Sequence, residues 1–422
     1  MRVEQCRVCH SPQLAPFLDL GETALANRFL DPSQGDQPEP RYPLRVVLCL
    51  DCGLVQIDEE VPREILFGDY IYVSGTSDLV RRHAQRLART LCRVHRLGPR
   101  DLVLEAASND GTVLKAFRQR GVRVLGVEPA ANVAELARRE GVPTETDFFD
   151  VRLARDLRAQ YGAARLVLAR HVLAHVADLH GFVAGITAAL AEDGVAVIET
   201  PWLGALCANL EFDTIYHEHL CYYSLRVLDR LFARSGLRLL DAELIPLHGG
   251  SLLVQAGRAD GPHWPVPRLA LLLQREEELR LSALATWQGF AARVARLREE
   301  LLAFLDGLRA RGCRLAGYGA PAKGNTLLEY CGIGPERLPY LVDKSPYKQG
   351  RLTPGRHIPV CPPERLLADQ PDVTLILAWN FAAEVLEQQA EYQRRGGRFA
   401  VPVPAPRLLA PPAPAGRVRV SA

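Results

Sequence analysis

Lysine is nearly missing from this 422-residue chain: only Lys115, Lys323, Lys344 and Lys348 stand among 51 basic side chains, and the rest are arginines. The arginines are spread over helix-like segments rich in Ala and Leu, a pattern of codon usage rather than of function. Excess charge of either sign is missing too, since 49 acidic residues face the 51 basic ones. Without a positive surplus there is no track for a polyphosphate, which argues against a nucleic-acid partner. No 18-residue apolar run occurs, and the opening MRVEQCRVCH lacks the apolar core of a signal peptide. The expectation is a cytoplasmic protein with no membrane partner. Apolar residues at 48% and charged residues at 24% exclude disordered and collagen-like chains. The length allows roughly two to four domains.

What the chain does have is ten cysteines, too many to ignore and, in a cytoplasmic protein, not expected to form disulfides. Six are scattered. The other four form two pairs, Cys6-Arg-Val-Cys9 and Cys49-Leu-Asp-Cys52, each followed by residues able to turn, His10-Ser11 and Gly53. Two intervening residues let both thiolates of a pair face one ion, and two such knuckles complete a tetrahedron around zinc. Four thiolates leave no open coordination position, so a structural zinc is expected. The 39 residues between the pairs include a Pro-rich loop, Asp31 to Pro43, able to sit outside the metal core.

Beyond residue 78 the pattern alternates. An Arg-rich amphipathic helix over 78–97 precedes a strand at 101–107, a helix at 112–120, a strand at 122–128, helices at 131–140 and 151–160, a strand at 164–170, a helix at 180–191 and a strand at 195–200. Strands separated by helices of 10 to 15 residues mean βαβ units and a parallel sheet. A terminal strand pair is expected at 237–244 and 251–256. The first strand ends in Glu105, the turn carries Asn109-Asp110-Gly111, and the second strand ends in Glu128, placed to accept hydrogen bonds from ribose hydroxyls. A dinucleotide turn needs three glycines to approach a pyrophosphate, and this one has a single glycine. A cofactor without phosphates, carrying an amino acid and a sulfonium, fits better: S-adenosylmethionine. After the third strand, Asp147 and Phe148 are placed to meet and stack on an adenine.

A series of motifs then falls in a fixed order: the two CxxC pairs, Leu104-Glu105 with Ser108-Asn109-Asp110-Gly111-Thr112, Val172-Leu173-Ala174-His175-Val176, Tyr216-His217-Glu218-His219, His248-Gly249-Gly250-Ser251-Leu252, and the run Gly317 to Asn325. In these the chain resembles the sugar C-methyltransferases, which act on nucleotide-linked 4-keto-6-deoxysugars in deoxysugar biosynthesis for natural products, including antibiotics. The resemblance implies an α/β protein with a small N-terminal zinc-binding domain, a central Rossmann-like class I methyltransferase domain and a C-terminal Rossmann-like α/β domain. It implies methylation of C3 of a dTDP-linked sugar by a monomeric enzyme. It also implies that His219 is the catalytic base, that His175 belongs to the catalytic pocket, and that Ser251 and His217 contact substrate. The family has a pocket tyrosine in the loop 69–77, which here is Tyr70 or Tyr72, with Tyr70 narrowly preferred. Two departures stand out. His171, preceded by Arg170, takes the place of an asparagine at the substrate, and Ala107 that of a glycine at the cofactor.

Chemistry asks for such a cluster independently. Methylating carbon requires a carbanion equivalent, and a proton beside a ketone is removable because the charge delocalises as an enolate. A base must sit on one face of the sugar, and histidine titrates near neutrality. Residues 211–224 carry two histidines, three carboxylates and three tyrosines inside an insertion. There Glu218 and Tyr216 are placed to line the sugar pocket and orient a hydroxyl or stabilise the enolate. In the C-terminal part, a strand at 313–320 runs into a glycine turn and a helix start bearing Lys323, which reads as a cradle for the sugar-nucleotide diphosphate. Strands at 338–345 and 373–379, a helix at 381–395 and a strand from 398 complete a second βαβ domain. The expected division is 1–75 zinc-binding, 76–260 methyltransferase, 261–310 helical bridge, 311–405 sugar-nucleotide-binding, and a tail from 406 to 422. Asp343, at the end of the second C-terminal strand, keeps an NAD-dependent sugar-nucleotide oxidoreductase open as an alternative; a non-catalytic zinc-scaffolded binding protein is the other.

Overall fold

The structure is a computed structural model that describes residues 1–67, 73–247 and 249–410. The chain forms two compact units. The first comprises Met1–Asp19, Leu44–Ala208 and His217–Phe290, and the second comprises Leu20–Pro43, Asn209–Tyr216 and the C-terminal part from Ala291. Among the described residues, eleven strands precede residue 260: β1 (Leu14–Ala24), β2 (Arg41–Cys49), β3 (Val55–Ile57), β4 (Leu102–Ala106), β5 (Arg123–Val127), β6 (Thr144–Glu145), β7 (Ala164–Arg170), β8 (Leu190–Pro201), β9 (Cys221–Tyr222), β10 (Leu237–Ile245) and β11 (Ser251–Arg258).

The first four-stranded sheet runs β1-β2-β3-β9. Its β2 and β3 pair antiparallel, Val46 opposite Ile57, and β3 pairs with β9, Val55 opposite Tyr222. Strand β9, which follows the Tyr-His-Glu-His motif, thus belongs to the sheet of the cysteine knuckles and not to the large sheet.

The large sheet runs β10-β11-β8-β7-β4-β5-β6. Strand β4 reads Leu-Val-Leu-Glu-Ala with all five residues buried, as expected of a central parallel strand covered on both faces. It pairs in parallel with β5 and β7, and β7 in parallel with β8. The last two strands form an antiparallel hairpin, and β11 lies antiparallel against β8. Counted within the sheet the order is 3-2-1-4-5-7-6, the class I methyltransferase arrangement, and the order reverses between β4 and β7. Ligands of open α/β sheets bind at such a reversal, outside the carboxyl ends of the strands.

The helix Asp78–Val94 packs on this sheet through Val80, Ala84, Leu87, Ala88 and Leu91, a stripe at helical spacing, and Ser77 caps it by accepting from Val80 N. Its buried face joins Val103, Phe117, Leu166, Leu168, Val195 and Val197 in one core.

In the second unit β12 (Leu315–Tyr318), β13 (Leu341–Val342), β14 (Val360–Cys361), β15 (Val373–Ile376), β16 (Arg398–Val401) and β17 (Arg407–Leu408) form a sheet in the order β14-β13-β12-β15-β16-β17. All neighbours are parallel except β16 and β17. Among the described residues, no helix is long and apolar enough to cross a membrane.

Candidate functional site

The four cysteines of the two CxxC pairs converge. All four sulfurs lie within 4.8 Å of one another, with Cys6 Sγ 3.4 Å from Cys52 Sγ and Cys9 Sγ 3.5 Å from Cys49 Sγ. Zinc–sulfur bonds of about 2.3 Å set the edges of a ZnS4 tetrahedron near about 3.8 Å, so the donor set fits the ion. The two knuckles have the same build. His10 N donates to Cys6 O and Gly53 N to Cys49 O, both at 2.9 Å. His10 and Gly53 each take a left-handed φ, of 63° and 81°, to close the turn. Among the described residues, no cysteine is in a disulfide.

At the carboxyl ends of β4, β5 and β7 lies a cavity of about 590 Å³, within the range of small-molecule sites. Of the residues expected at the cofactor, Glu105, Ala107, Asn109, Glu128 and Phe148 line it, and so do His171 and His175. Glu128 closes β5 and is buried; its Oε2 accepts from Asn109 N at 2.9 Å and its Oε1 from Ala130 N at 3.0 Å. Burial raises its pKa. Each oxygen keeps a free lone pair for a ribose hydroxyl.

Glu105 at the end of β4 is buried, and burial pushes its carboxyl up to about 8 against the opposing pull of Arg170. Its Oε2 and the hydroxyl of Ser108 are buried without a protein hydrogen-bond partner. Buried polar atoms left unpaired beside a cavity fit a bound polar group. Phe148 carries the Arg63 guanidinium 4.0 Å from its ring centroid. The cavity therefore suits S-adenosylmethionine, with Glu105, Glu128 and Phe148 all on its wall.

Asp110 and Asp147 do not line the cavity. Asp110 Oδ2 accepts from Gly75 N at 2.9 Å and Asn109 Oδ1 from Ser74 N at 2.8 Å, so the turn latches the Ser74–Thr76 segment. A Cβ at Gly75 would stand 2.4 Å from Asp110 Oδ2, so a side chain there would displace the Asp110 carboxylate from this latch. Asp147 accepts from Phe148 N and pairs with Arg152. Ala107 sits at φ 55°, where glycine would carry no Cβ penalty.

Sequence reasoning did not place Arg170, Glu199 or His83 at the site. Arg170 Nε lies 2.6 Å from Glu199 Oε2 and its Nη1 3.5 Å from Glu105 Oε1, while His83 Nε2 lies 2.5 Å from Glu199 Oε1. His171 Nε2 is 3.7 Å from Glu199 Oε2. The carboxylate of Glu199 is fully buried and held ionised by Arg170 and His83. The signal for Arg170 and Glu199 was their place at neighbouring strand ends; His83, on the core face of a helix, carried none.

The structure brings His175 and His219 together. Their ring centroids are 4.8 Å apart and their planes meet at 69°. The contact is built by two short links: Leu220 N donates to Ala174 O at 2.7 Å, and Ile57 N to Leu220 O at 3.0 Å. The ring of Tyr222 lies 6.4 Å from that of His219. Burial lowers the His175 pKa to about 4, opposed by hydrogen bonds with the backbone at Glu218 and His171. His217 and Glu218, the two residues before His219, are buried.

Ser251 is fully buried in β11, its hydroxyl donating to Leu247 O at 2.9 Å, and does not line the cavity. Tyr70 and Tyr72 lie outside the described residues. In the second unit, Asp343 accepts from Ala320 N at 2.7 Å and Ser345 N at 2.8 Å, with Lys348 3.9 Å away. The Lys323 ammonium donates to Asn380 Oδ1 and stands 3.8 Å from the Trp379 ring centroid. Tyr216 is half-buried in the same unit.

Glu128 gives a prediction local to this cavity. Glu128→Ala removes a charged acceptor from a ribose hydroxyl, and a hydrogen bond to a charged group contributes about 1.5 to 3 kcal/mol. Calorimetric titration with S-adenosylhomocysteine is expected to show affinity weakened by about 10- to 100-fold; an unchanged affinity would place the ribose elsewhere.

Three family models match in succession: a zinc binding domain over residues 6–67, a methyltransferase domain over 79–242 and a C-methyltransferase C-terminal domain over 246–404. Similar solved structures include magnesium protoporphyrin IX methyltransferase from Synechocystis PCC 6803 with bound SAM, 13% identical over 46% of this chain and 89% of that one at a TM-score of 0.33. Another is 1,6-didemethyltoxoflavin-N1-methyltransferase from Burkholderia thailandensis, 20% identical over 50% of this chain and 97% of that one at 0.35. The C-methyltransferase NovU of Streptomyces niveus is 38% identical to this chain over 409 residues, covering 96% of this chain and 97% of NovU. Identity at that level across nearly the whole of both chains places this one in the C-methyltransferase family, as an S-adenosylmethionine-dependent C-methyltransferase with an N-terminal zinc-binding domain.

Proposed function

We propose that the enzyme methylates C3 of a dTDP-linked 4-keto-6-deoxysugar through an enolate, as a monomer serving the assembly of a natural-product sugar. The observation that carries this reading is the His175–His219 pair, with His175 on the wall of the cofactor cavity and His219 against it. Carbon methylation beside a ketone needs one group to take a proton and another to hold the oxygen that becomes negative, and two close imidazoles offer both.

In this reading His219 takes the C3 proton on a ring nitrogen, and the C–H electron pair becomes the C3–C4 double bond while O4 becomes the oxyanion. His175, neutral because burial lowers its pKa to about 4, exchanges its hydrogen bond with the backbone at Glu218 or His171 for one in which its N–H is donated to that oxyanion. A neutral donor keeps the developing charge from being quenched by full proton transfer. Glu218 and Tyr216 orient the sugar hydroxyls, and His217 contacts the substrate. His171 stands where it can contact the sugar, its ring 3.7 Å from Glu199. When bound, S-adenosylmethionine supplies an electrophilic methyl group. The zinc lies in the knuckle sheet and takes no part in these steps.

The test is a panel of dTDP-sugars that differ at C3 and C4, incubated with the cofactor and analysed by mass spectrometry. Gain of one methyl group only on sugars with a 4-ketone and a C3 hydrogen is expected. Equal methylation of 4-hydroxy sugars would remove the enolate from the mechanism, because no carbonyl would then acidify C3.

A further inference from the structure

Eight residues, Asn209–Tyr216, pack within the second compact unit, and the chain then continues directly into His217, Glu218 and His219. This segment is held by an unusual set of buried polar groups. Asp213 is fully buried, and its Oδ2 accepts from Trp379 Nε1 at 2.7 Å. Glu211 is buried and accepts from Asn209 Nδ2 at 2.9 Å. The Lys323 ammonium lies over the Trp379 ring, donates to Asn380 Oδ1 and is attracted by both carboxylates. Phe212, fully buried between them in sequence, meets Tyr330 edge to face with centroids 5.4 Å apart.

Buried ion clusters are weak sources of stability compared with apolar packing of the same volume, but their directional bonds specify one arrangement among near-equal ones. A purely apolar segment could slide; this one is pinned by the Trp379 indole N–H on Asp213, with Lys323 seated over the same indole. Burial pushes Glu211 up to about 7, Asp213 upward and Lys323 down to about 8, and the Lys323 charge opposes the shift of both carboxylates.

We infer that Lys323, Asp213 and Trp379 form an anchor that fixes the start of the Tyr216–His219 loop, so that Lys323 is a positioning residue for the base. This rests on the reading that the loop carries the base. It also gives Lys323 a task other than the nucleotide phosphates expected from its place at a helix start.

The experiment uses the full chain with Lys323→Met, Asp213→Asn, their double variant, and Trp379→Phe, which keeps the ring beneath Lys323 but deletes the N–H. Amide hydrogen exchange across residues 212–220 is expected to speed up in all four. The kcat should fall by about 10- to 100-fold, the scale of a small misplacement of a catalytic group. The KM for the sugar nucleotide and the affinity for S-adenosylhomocysteine should stay near wild type, and the double variant should be no worse than the poorer single. A steep KM rise in Lys323→Met, with Asp213→Asn and Trp379→Phe unaffected, would assign Lys323 to the phosphates and overturn the anchor. Unchanged amide exchange, or faster exchange with unchanged kcat, would overturn it as well. His219→Asn touches no member of the cluster and reports on the base separately, so failure of that reading is recognisable on its own.

Discussion

His219→Asn is expected to bind both ligands yet lose methyl transfer together with exchange of the substrate C3 hydrogen for deuterium from water. A general base contributes on the order of 10² to 10⁴ in rate, and asparagine keeps polarity and most of the volume while removing the basic nitrogen. The structure sharpens the control. His217, two positions away, is almost fully buried, whereas His219 is partly open and packs against the ring of His175. His217→Asn should therefore fall less in exchange than His219→Asn; the reverse order would identify the other histidine as the base. The His175 variant separates the two imidazoles by pH. Its folded pKa, lowered to about 4, means that the ring is neutral throughout pH 5 to 9, so its loss should lower the rate without moving the acid limb of the profile. The acid limb should belong to the base, which must be unprotonated to act. If His175→Ala shifts that limb, the roles of the two histidines are exchanged.

The large sheet was legible because its strands are continuous apolar runs ending in polar turns. Strand β7 at 164–170 matches the expected span residue for residue, and β4 and β5 are each one residue shorter at both ends. Where expectation and structure part, pairing is the reason. β8 begins at Leu190, directly after the helix Leu179–Ala189, because Leu190 already pairs with Ala164 of β7. β13 covers only Leu341–Val342 of the expected 338–345, since its neighbours β12 and β14 offer partners to those two residues alone. The helix expected over 381–395 is broken at Gln389 into Ala382–Gln388 and Ala390–Arg394. Of the candidate site, Glu105, Glu128 and Phe148 were readable from strand ends and turns. The Glu105–Arg170–Glu199–His83 row was not, because Glu199 and His83 are 116 residues apart and only the folded sheet brings them together. For the same reason the neighbours of Lys323 were invisible: Asp213 and Trp379 lie more than 50 residues from it on either side.

Removal of zinc is expected to unfold the knuckle sheet, and the structure extends that effect to the reaction itself. Structural zinc supplies on the order of 10 kcal/mol of folding free energy in small domains, and the core around it is small: Cys6, Val8, Leu48, Cys49, Cys52 and Leu54 are buried. Without the ion the four sulfurs, within 4.8 Å of one another, have only weak thiol contacts to hold them. Strand β3 would then lose its support on the β2 side. Yet β3 is the strand that pairs with β9, and Ile57 N holds the carbonyl of Leu220, the residue after His219. The N-terminal segment also lends Glu60, Val61, Pro62 and Arg63 to the wall of the cofactor cavity. Zinc thus supports the base loop and the cofactor wall through the backbone, without touching either ligand. Metal analysis should give one zinc per chain, absent from Cys6→Ser with Cys52→Ser. That variant should lose thermal stability, show fast amide exchange in residues 44–57 and 220–222, bind S-adenosylhomocysteine more weakly, and turn over slowly if at all. The strands β4, β5, β7 and β8 should keep their protection, because their core of Val103, Leu166, Leu168 and Val197 lies in the other sheet. Full stability and full activity in the metal-free variant would show that the four thiols hold the sheet unaided, and would end the structural assignment of the metal.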